Sequence, residues 1–218
     1  MAVAAPALIK LNYDEEYRRS LLDADLTLAD SGLLVFLWKL VTGRTLKKVS
    51  GLAYLKALLG REEVRRSMFW VLPSQTAREK TLEWLGRRGF PTSLEDCYVA
   101  AVSKAEDYAL LQQIEQRKPQ NIIVAIPGGS QEKMGLYLRS YLLYRPRIHC
   151  IGAALGFLTG EERPIPDWAD RYALGWLWRI VSQPQMLLPR LGIACRVGVM
   201  VLKYRSQLPP LRTRWVDR

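Results

Sequence analysis

The sequence has few of the residues that build disulfide frameworks and metal clusters. Its 218 residues include three widely spaced cysteines, Cys97, Cys150 and Cys195, and a single histidine, His149. An odd, scattered set of cysteines fits neither a disulfide scaffold nor a metal-ligand cluster, and it suits a reducing cytoplasm. His149 lies in the apolar run RIHCIG, where a hydrogen-bonded strand histidine is more common than a catalytic one.

Long apolar runs and the common nucleotide-binding signatures are also missing. No apolar run reaches the roughly 18–20 residues that span a bilayer, and the start MAVAAPALIK lacks the parts of a signal peptide. We therefore expect a protein that does not cross a membrane. No G-x-G-x-x-G follows a first strand, and neither a P-loop nor a serine hydrolase elbow is present. These absences weaken the dinucleotide-binding, P-loop and serine hydrolase classes.

Acidic residues are scarce in the last part of the chain. The net charge of the whole chain is +11, and after residue 170 a single acid, Asp217, opposes nine basic residues. Such a tail favours the phosphates of a nucleotide, a nucleic acid or a membrane surface, and a solvated basic face is the alternative at even weight. The nine residues are Arg171, Arg179, Arg190, Arg196, Lys203, Arg205, Arg212, Arg214 and Arg218.

Short apolar runs alternate with segments of helical periodicity. The runs LTLA, MFWVLP, CYVAAV, NIIVAI and IHCIGA are typical of buried strands, and helices are predicted to begin near Thr76 and Ser103. This order predicts an α/β protein with a Rossmann-like, mostly parallel sheet, covered by helices on both faces, over residues 1–160. Residues 161–218 are predicted to form a helical, basic appendage, with one helix starting near Pro189.

Polar residues follow several of the predicted strands, at the carboxyl ends where open parallel sheets bind ligands, and two of these groups contain the candidate site residues. Asp30 and Ser31 follow LTLA, and a carboxylate there serves either as a base or as the N-cap of the next helix. The second group is a glycine turn followed by the start of a helix, an arrangement that binds anions. We expect Gln131 in this group to contribute little to the hydrophobic core. This group consists of Gly128, Gly129, Ser130, Gln131 and Glu132.

Segments in a fixed order carry a resemblance to a known family. ADLTLADSG (24–32) is similar to a segment "adl..aDG", IPGGSQE (126–132) to "G.PkQE", and WADRYALGWLWRIVSQPQMLLPR (168–190) to "W....gLEWlyRl..eP.r...R". VSGLAYLKALL (49–59) and IGAALGFLTG (151–160) are similar to "vaG.dL...ll" and "VGaaFDf.aG". On these motifs the chain resembles the WecG/TagA/CpsF glycosyltransferase family (family 26) over nearly its whole length.

The resemblance implies transfer of a sugar, often N-acetylmannosamine, from a UDP-sugar to a polyprenyl-diphosphate-linked sugar in cell-envelope or exopolysaccharide synthesis. It implies an inverting reaction without a metal or other cofactor, at the inner face of the cytoplasmic membrane. It places the catalytic positions on Asp30 and Gln131. The positions expected to bind substrate are Ser31, Gly128, Gly129, Ser130, Glu132, Arg171, Arg179 and Arg190.

The resemblance also bears on partners. The appendage, residues 161–218, is expected to dock peripherally on the membrane and to complete the active site. Homo-oligomerisation is left open. Nucleic acid is not expected as a partner, because no recognition motif accompanies the basic tail.

The chain departs from the family pattern at several positions. A Thr-x-Asn motif would fall on residues 2–4, which read Ala-Val-Ala, so the strand that carries it is expected to be missing or reduced to a stub. Either the chain begins late or it is a divergent member of the family. These departures favour an alternative, a catalytically degenerate protein that binds a nucleotide sugar or a polyprenyl phosphate. Other replaced positions are Gly129 for a proline, Gly156 for an aspartate, Gly175 and Gln183 for glutamates, and Met186 for an arginine.

Overall fold

The computed structural model of the protein describes residues 1–101, 106–162, 178 and 187–212. The strands in these ranges are β1 Ala2–Val3, β2 Leu28–Ala29, β3 Met68–Leu72, β4 Cys97–Val99, β5 Asn121–Val124 and β6 Arg147–Cys150. Four of them form a sheet in the order β4-β3-β5-β6, and β1 pairs with β2. All of these pairs are parallel, which confirms the predicted type of sheet.

The helices in the described ranges surround these strands. They are α1 Ala5–Leu8, α2 Glu15–Leu22, α3 Gly32–Thr42, α4 Gly51–Leu59, α5 Glu62–Arg65, α6 Gln75–Arg87, α7 Tyr108–Arg117, α8 Gln131–Tyr141, α9 Ala154–Thr159 and α10 Leu187–Tyr204. Short 3-10 turns occupy Ile9–Asn12 and Leu94–Asp96. In the part of the chain that the structure describes, no helix is both long and apolar enough to span a bilayer.

The four-stranded sheet is covered on both faces, as predicted. Successive side chains of β3 and β5 point to opposite faces, and both faces are apolar because both are buried. Trp70 and Ile123 pack with α4, α6 and α9 on one face. Phe69 and Ile122 pack with α7 and α8 on the other. The two apolar layers explain why these strands are continuous hydrophobic runs in the sequence.

The strand order reverses at β3. The chain passes from β3 to β4 on one side of it and then returns to β5 on the other side. The helix after β3, α6, belongs to one apolar layer, and the helix after β5, α8, belongs to the opposite one. Because these two connections diverge, a crevice is left between the carboxyl ends of β3 and β5. This is the topological switch point at which α/β sheets bind ligands.

The starts of two helices differ from the sequence predictions. The N-cap of α6 is Ser74, whose hydroxyl accepts from the N–H of Ala77, so the start at Thr76 is wrong by one residue. The N-cap of α7 is Asp107, whose carboxylate accepts from the N–H of Leu110. The predicted start of this helix at Ser103 is therefore also wrong, and Ser103 itself lies outside the described residues.

The long basic helix α10 packs against the N-terminal part of the chain. Val197 and Val201 are buried against Ala5 of α1, and Ile193 belongs to the same cluster. Gly198 brings α10 close to α3, because a Cβ at this position would lie 3.9 Å from a methyl group of Leu37. The helix starts at Leu187, two residues before the predicted start at Pro189.

Candidate active site

Asp30 directly follows β2 at the carboxyl end of the two-stranded sheet. Its backbone N–H donates to the carbonyl oxygen of Val3 at 3.1 Å and so extends the contact between β1 and β2. The next residue, Ser31, is the N-cap of α3, because its hydroxyl accepts from the N–H of Leu34 at 3.3 Å. The alternative that Asp30 caps this helix is therefore wrong. Ser31 has this structural task, and its predicted contact with substrate stays a prediction.

A glycine brings Asp30 close to the end of β6. A Cβ on Gly51, the first residue of α4, would lie 3.1 Å from Oδ2 of Asp30 and 2.9 Å from the carbonyl oxygen of Ile151. It would also lie 3.3 Å from the Cβ of Ala154 in α9. The missing side chain thus lets the ends of β2 and β6 meet at the N-terminus of α4. Asp30 lies beside the starts of two helices, α3 and α4, whose dipoles stabilise negative charge there.

Sequence reasoning missed this role of Gly51. Its segment, VSGLAYLKALL, carries part of the family resemblance, but the resemblance does not indicate this contact. The available signal is Gly51 directly after Ser50, the N-cap of α4. Glycine at such a position often marks a close approach of two parts of the backbone.

Gln131 is buried, with 2% of its surface exposed, and its amide holds three structural elements together. Nε2 donates to the carbonyl oxygen of Ala2 in β1 at 3.1 Å and to Oε1 of Glu132 at 3.1 Å. Oε1 accepts from the N–H of Gly152, in the turn after β6, at 2.6 Å. The expectation that Gln131 contributes little to the core is therefore wrong, because a buried amide with three partners is part of the core.

The carboxyl group of Glu132 lies in the first turn of α8. It is fully buried, and its Oε2 accepts from the backbone N–H of Gly129 at 2.5 Å. Burial raises the pKa of this carboxyl, whereas its hydrogen bonds and the positive charge of Lys10 act in the opposite direction. An internal carboxyl group thus already occupies part of this helix N-terminus. The predicted contact of Glu132 with substrate stays a prediction, and the role visible here is to hold the glycine turn.

The glycine turn has a conformation that few other residues adopt. Gly129 has φ +92, and a Cβ at this position would collide with the side chain of Lys10, whose Cε would lie 2.7 Å away. Proline, with φ near −65°, does not fit this backbone. Gly128 is exposed beside it, so the outer surface of the turn is open to a ligand, and Lys10 covers the inner side.

The crevice at the switch point forms a cavity of about 230 Å³. The loop after β6 connects this cavity to Asp30, because Ala154 lies against Gly51 whereas Ala153 and Leu155 line the cavity. The carboxylates of Glu161 and Glu162 line the border of this cavity. The side chain of Glu162 lies where a Cβ on Gly156 would be. The lining residues are Leu72, Pro73, Ala77, Ala125, Pro127, Ala153, Leu155, Gly156, Glu161 and Glu162.

A second, more open cavity of about 420 Å³ lies along β4, between α6 and α7. Arg78 and Gln75 of α6 and Gln113 of α7 contribute to it, together with Cys97 at the start of the strand. It lies along the edge strand β4 rather than at the switch point between β3 and β5, so the smaller crevice beside Asp30 is the better candidate for the reaction site.

The structure brings only some of the predicted residues together. Asp30 and Gln131 both bind β1, and both lie at the end of β6. Ser130 is the half-buried N-cap of α8, and its side chain makes no capping hydrogen bond. Arg171 and Arg179 lie outside the described residues. Arg190 belongs to α10, but its side chain lies outside what the structure describes.

Comparison with known protein families shows to which family the chain belongs. The model of the "Glycosyl transferase WecG/TagA/CpsF family" matches residues 1–210. The chain belongs to this family. Membership of the WecG/TagA/CpsF family implies glycosyltransferase activity in cell-envelope polysaccharide synthesis. No curated protein sequence matches the chain.

The strand at the start of the chain is reduced but present. Ala2 and Val3 form the two-residue strand β1, in register with Leu28 and Ala29 of β2. This agrees with the prediction of a stub. Although the Thr-x-Asn side chains are absent, the backbone of this stub still holds Asp30 and Gln131 through two carbonyl oxygens.

Proposed function

We propose that this glycosyltransferase moves a sugar from a UDP-sugar to a polyprenyl-diphosphate-linked sugar with inversion of the anomeric carbon. The observation that carries the proposal is the position of Asp30. Its carboxylate lies beside the loop after β6, and the same loop lines the crevice at the switch point. A base and a ligand cavity therefore share one wall, as a transfer between two bound substrates requires.

Asp30 acts as the general base in the proposed reaction. It takes the proton of the acceptor hydroxyl while that oxygen forms a bond to the anomeric carbon. The bond from this carbon to the diphosphate oxygen breaks, and UDP leaves with the bonding electrons. A single displacement of this kind inverts the anomeric configuration. The position of Asp30 beside the crevice assigns it the role of base.

The leaving UDP gains negative charge that the protein has to stabilise. We assign this task to the tail arginines Arg171, Arg179 and Arg190, and to the exposed side of the turn at Gly128. Arginine binds phosphate through paired, charge-assisted hydrogen bonds, which are stronger than neutral ones. The resemblance predicts that no metal ion shares this task.

The crevice takes part of the donor in this proposal. Its apolar walls, with Pro73 and Pro127, suit a ring face, and the carboxylates of Glu161 and Glu162 suit sugar hydroxyl groups. Gln131 and Glu132 act through the backbone, because they hold the turns at Gly129 and Gly152 in place. These turns would otherwise move relative to Asp30.

The acceptor's lipid tail requires the enzyme to work at a membrane surface. The basic tail supplies the attraction, since each lysine or arginine near an anionic leaflet contributes roughly 1 kcal/mol. Arg196 and Lys203 are exposed on α10 and are the described candidates for this contact. Three or four such residues would give a reversible, salt-sensitive attachment at the inner face of the cytoplasmic membrane.

The test is UDP release by the full-length protein. UDP-N-acetylmannosamine and other UDP-sugars are offered with a short-chain prenyl-diphosphate-linked sugar, with and without EDTA, and the anomer of the product is read by NMR. UDP release that depends on the acceptor and gives an inverted product, with or without EDTA, supports the proposal. Release without an acceptor would show hydrolysis instead and would contradict it.

The second candidate is a degenerate protein that binds the nucleotide sugar without transfer. Two observations favour it: residues 2–4 lack the Thr-x-Asn side chains, and the amide of Gln131 is engaged inside the protein. Calorimetric binding of UDP or of a UDP-sugar, without UDP release for any acceptor offered, would support this candidate over the enzyme.

A further inference from the structure

Helix α3 exposes large apolar side chains on the side away from its packed face. Leu34, Leu37 and Trp38 pack in the cluster with α10. In contrast, Phe36 is 57% exposed and Leu40 is 72% exposed. Positions four apart lie on the same face of a helix, so these two side chains form one exposed apolar patch. A helix that is apolar on two sides is typical of one whose second side is also covered.

The chain segment that contains this patch carries charge of one sign. Residues 31–61 contain no acid, and their six basic residues lie within α3 or follow it in the chain. Lys39 is exposed within the helix, and Arg44 and Lys47 are exposed just after it. The six are Lys39, Arg44, Lys47, Lys48, Lys56 and Arg61.

The neighbouring helix α10 has the same combination of properties. Val199 and Leu202 are each 62% exposed, on the side opposite to the buried Val197. Residues 187–212 contain no acid, and Arg196 and Lys203 are exposed on this helix. Two helices that pack on each other therefore each present exposed apolar side chains together with exposed basic residues.

We propose that α3 docks on an anionic bilayer surface, with Phe36 and Leu40 inserted at the boundary of the acyl chains and the basic residues on lipid phosphates. Apolar insertion combined with electrostatic attraction is how amphipathic helices bind such surfaces. A second copy of the chain fits poorly, because a symmetric contact would place this positive surface against itself. The sign of the charge selects the anionic leaflet.

Docking through α3 has a consequence for the acceptor, and this step rests on the proposed function. The N-cap of α3 is Ser31, so the helix begins directly after Asp30. Its 11 residues extend about 16 Å from that point. A lipid-linked acceptor whose tail enters the bilayer beside Phe36 and Leu40 would bring its sugar toward Asp30. The helix would then set the distance between the base and the point where the acceptor's tail enters the bilayer.

The first experiment measures cosedimentation of the full-length protein with phosphatidylcholine vesicles, with or without one third phosphatidylglycerol. The test variant carries Phe36→Ser and Leu40→Ser. The control carries Leu94→Ser and Leu143→Ser, whose side chains are 57% and 93% exposed elsewhere. We expect the test variant to bind anionic vesicles at least about 10-fold more weakly and the control to bind like the wild type. Equal binding of the two variants would overturn the proposal.

Two further measurements separate this inference from the proposed function. Transfer to a soluble short-chain acceptor should be unchanged in the test variant, while transfer to a vesicle-borne acceptor should fall. If the protein shows no transfer at all, the proposed function fails, but vesicle binding still decides the docking. If the wild type is a dimer that the test variant dissociates, and vesicles do not compete with it, the apolar patch binds a second copy and the proposal is overturned.

Discussion

The carboxylate of Asp30 lies where a side chain on Gly51 would be, with Oδ2 only 3.1 Å from the position of the missing Cβ. This contact joins β2, α4 and the end of β6, three elements that are distant in sequence. The active-site candidate therefore depends on a residue that has no side chain. A substitution at Gly51 can therefore disturb the site without removing any of its functional groups.

We expect Gly51→Ala to damage both stability and transfer. The new methyl group would lie 2.9 Å from a backbone oxygen, that of Ile151, which has little room to move. Such overpacking costs about 1–3 kcal/mol, and the displacement of Asp30 should lower kcat. The control is Gly86→Ala in α6, where nothing lies within 4 Å of the new Cβ. If thermal unfolding and kcat of Gly51→Ala match those of the control, the contact is unimportant.

We expect Asp30→Asn to keep the fold and donor binding but to lower transfer by at least roughly 100-fold, the usual scale for the loss of a general base. Asn retains the shape of the side chain but cannot take the proton. Asp25→Asn is the control, because its side chain is 93% exposed and pairs only at the surface with Arg139. Near-normal transfer by Asp30→Asn, measured as UDP release, would remove the base from the proposed mechanism.

We expect Gln131→Ala to destabilise the protein by about 1–3 kcal/mol, because it leaves buried groups of Ala2 and Gly152 without their partner. For a chain of this size that corresponds to a fall in melting temperature of several degrees. Ser130→Ala is the control, since the Ser130 side chain makes no capping bond. Unchanged thermal unfolding of Gln131→Ala would contradict the assignment of Gln131 as a tie between β1 and β6.

The sequence predicts the strands well because their signal is local. Each of the five predicted runs contains a strand, and the signal is clearest for β3 and β5, because a strand buried on both faces is a continuous apolar run. The helix starts are harder to predict, because neighbouring polar residues compete for the N-cap position. Ser74 caps α6 although Thr76, two residues later, is also a suitable residue.

The candidate site is less predictable, because its contacts are not local. Gln131 binds Ala2, which is 129 residues away in the chain, and Gly152, which is 21 residues away. No periodicity or spacing within the segment IPGGSQE indicates that its glutamine is buried. The resemblance identified Asp30 and Gln131 as important positions. Their shared attachment to β1 became visible only in the folded chain.

We expect Gly129→Ala to destabilise the protein although the new methyl group is small. Its φ of +92 is a backbone conformation that costs an alanine about 1–3 kcal/mol, and Lys10 would have to move away. The control is the adjacent Gly128→Ala, where the nearest atom is the Cβ of Ala7 at 3.7 Å. Adding Lys10→Ala should recover only the steric part of the loss. Equal denaturant midpoints for the two single variants would show that the turn is not strained.

The last prediction concerns His149, which lies in β6 between two hydrogen-bond partners. The hydroxyl of Tyr54 is 2.7 Å from its Nδ1, and Oδ1 of Asn121 is 3.4 Å from its Nε2. The amide group of Asn121 donates to backbone carbonyl oxygens, so Oδ1 is its acceptor atom. Nε2 of His149 therefore carries the proton, and Nδ1 accepts from Tyr54. The imidazole is held neutral.

Burial, with the positive charges of the N-terminus and Arg147, lowers the pKa of His149 from 6.5 to about 4. Between these two values the unfolded chain binds more protons than the folded protein, so the free energy of unfolding falls as the pH drops from 6.5 to about 4. The loss from this group is on the order of 3 kcal/mol. Urea unfolding of the wild type and of His149→Gln at several pH values isolates it, because the carboxyl groups titrate in both proteins. We expect a shallower pH dependence in His149→Gln, and identical slopes would show that His149 is not the group responsible.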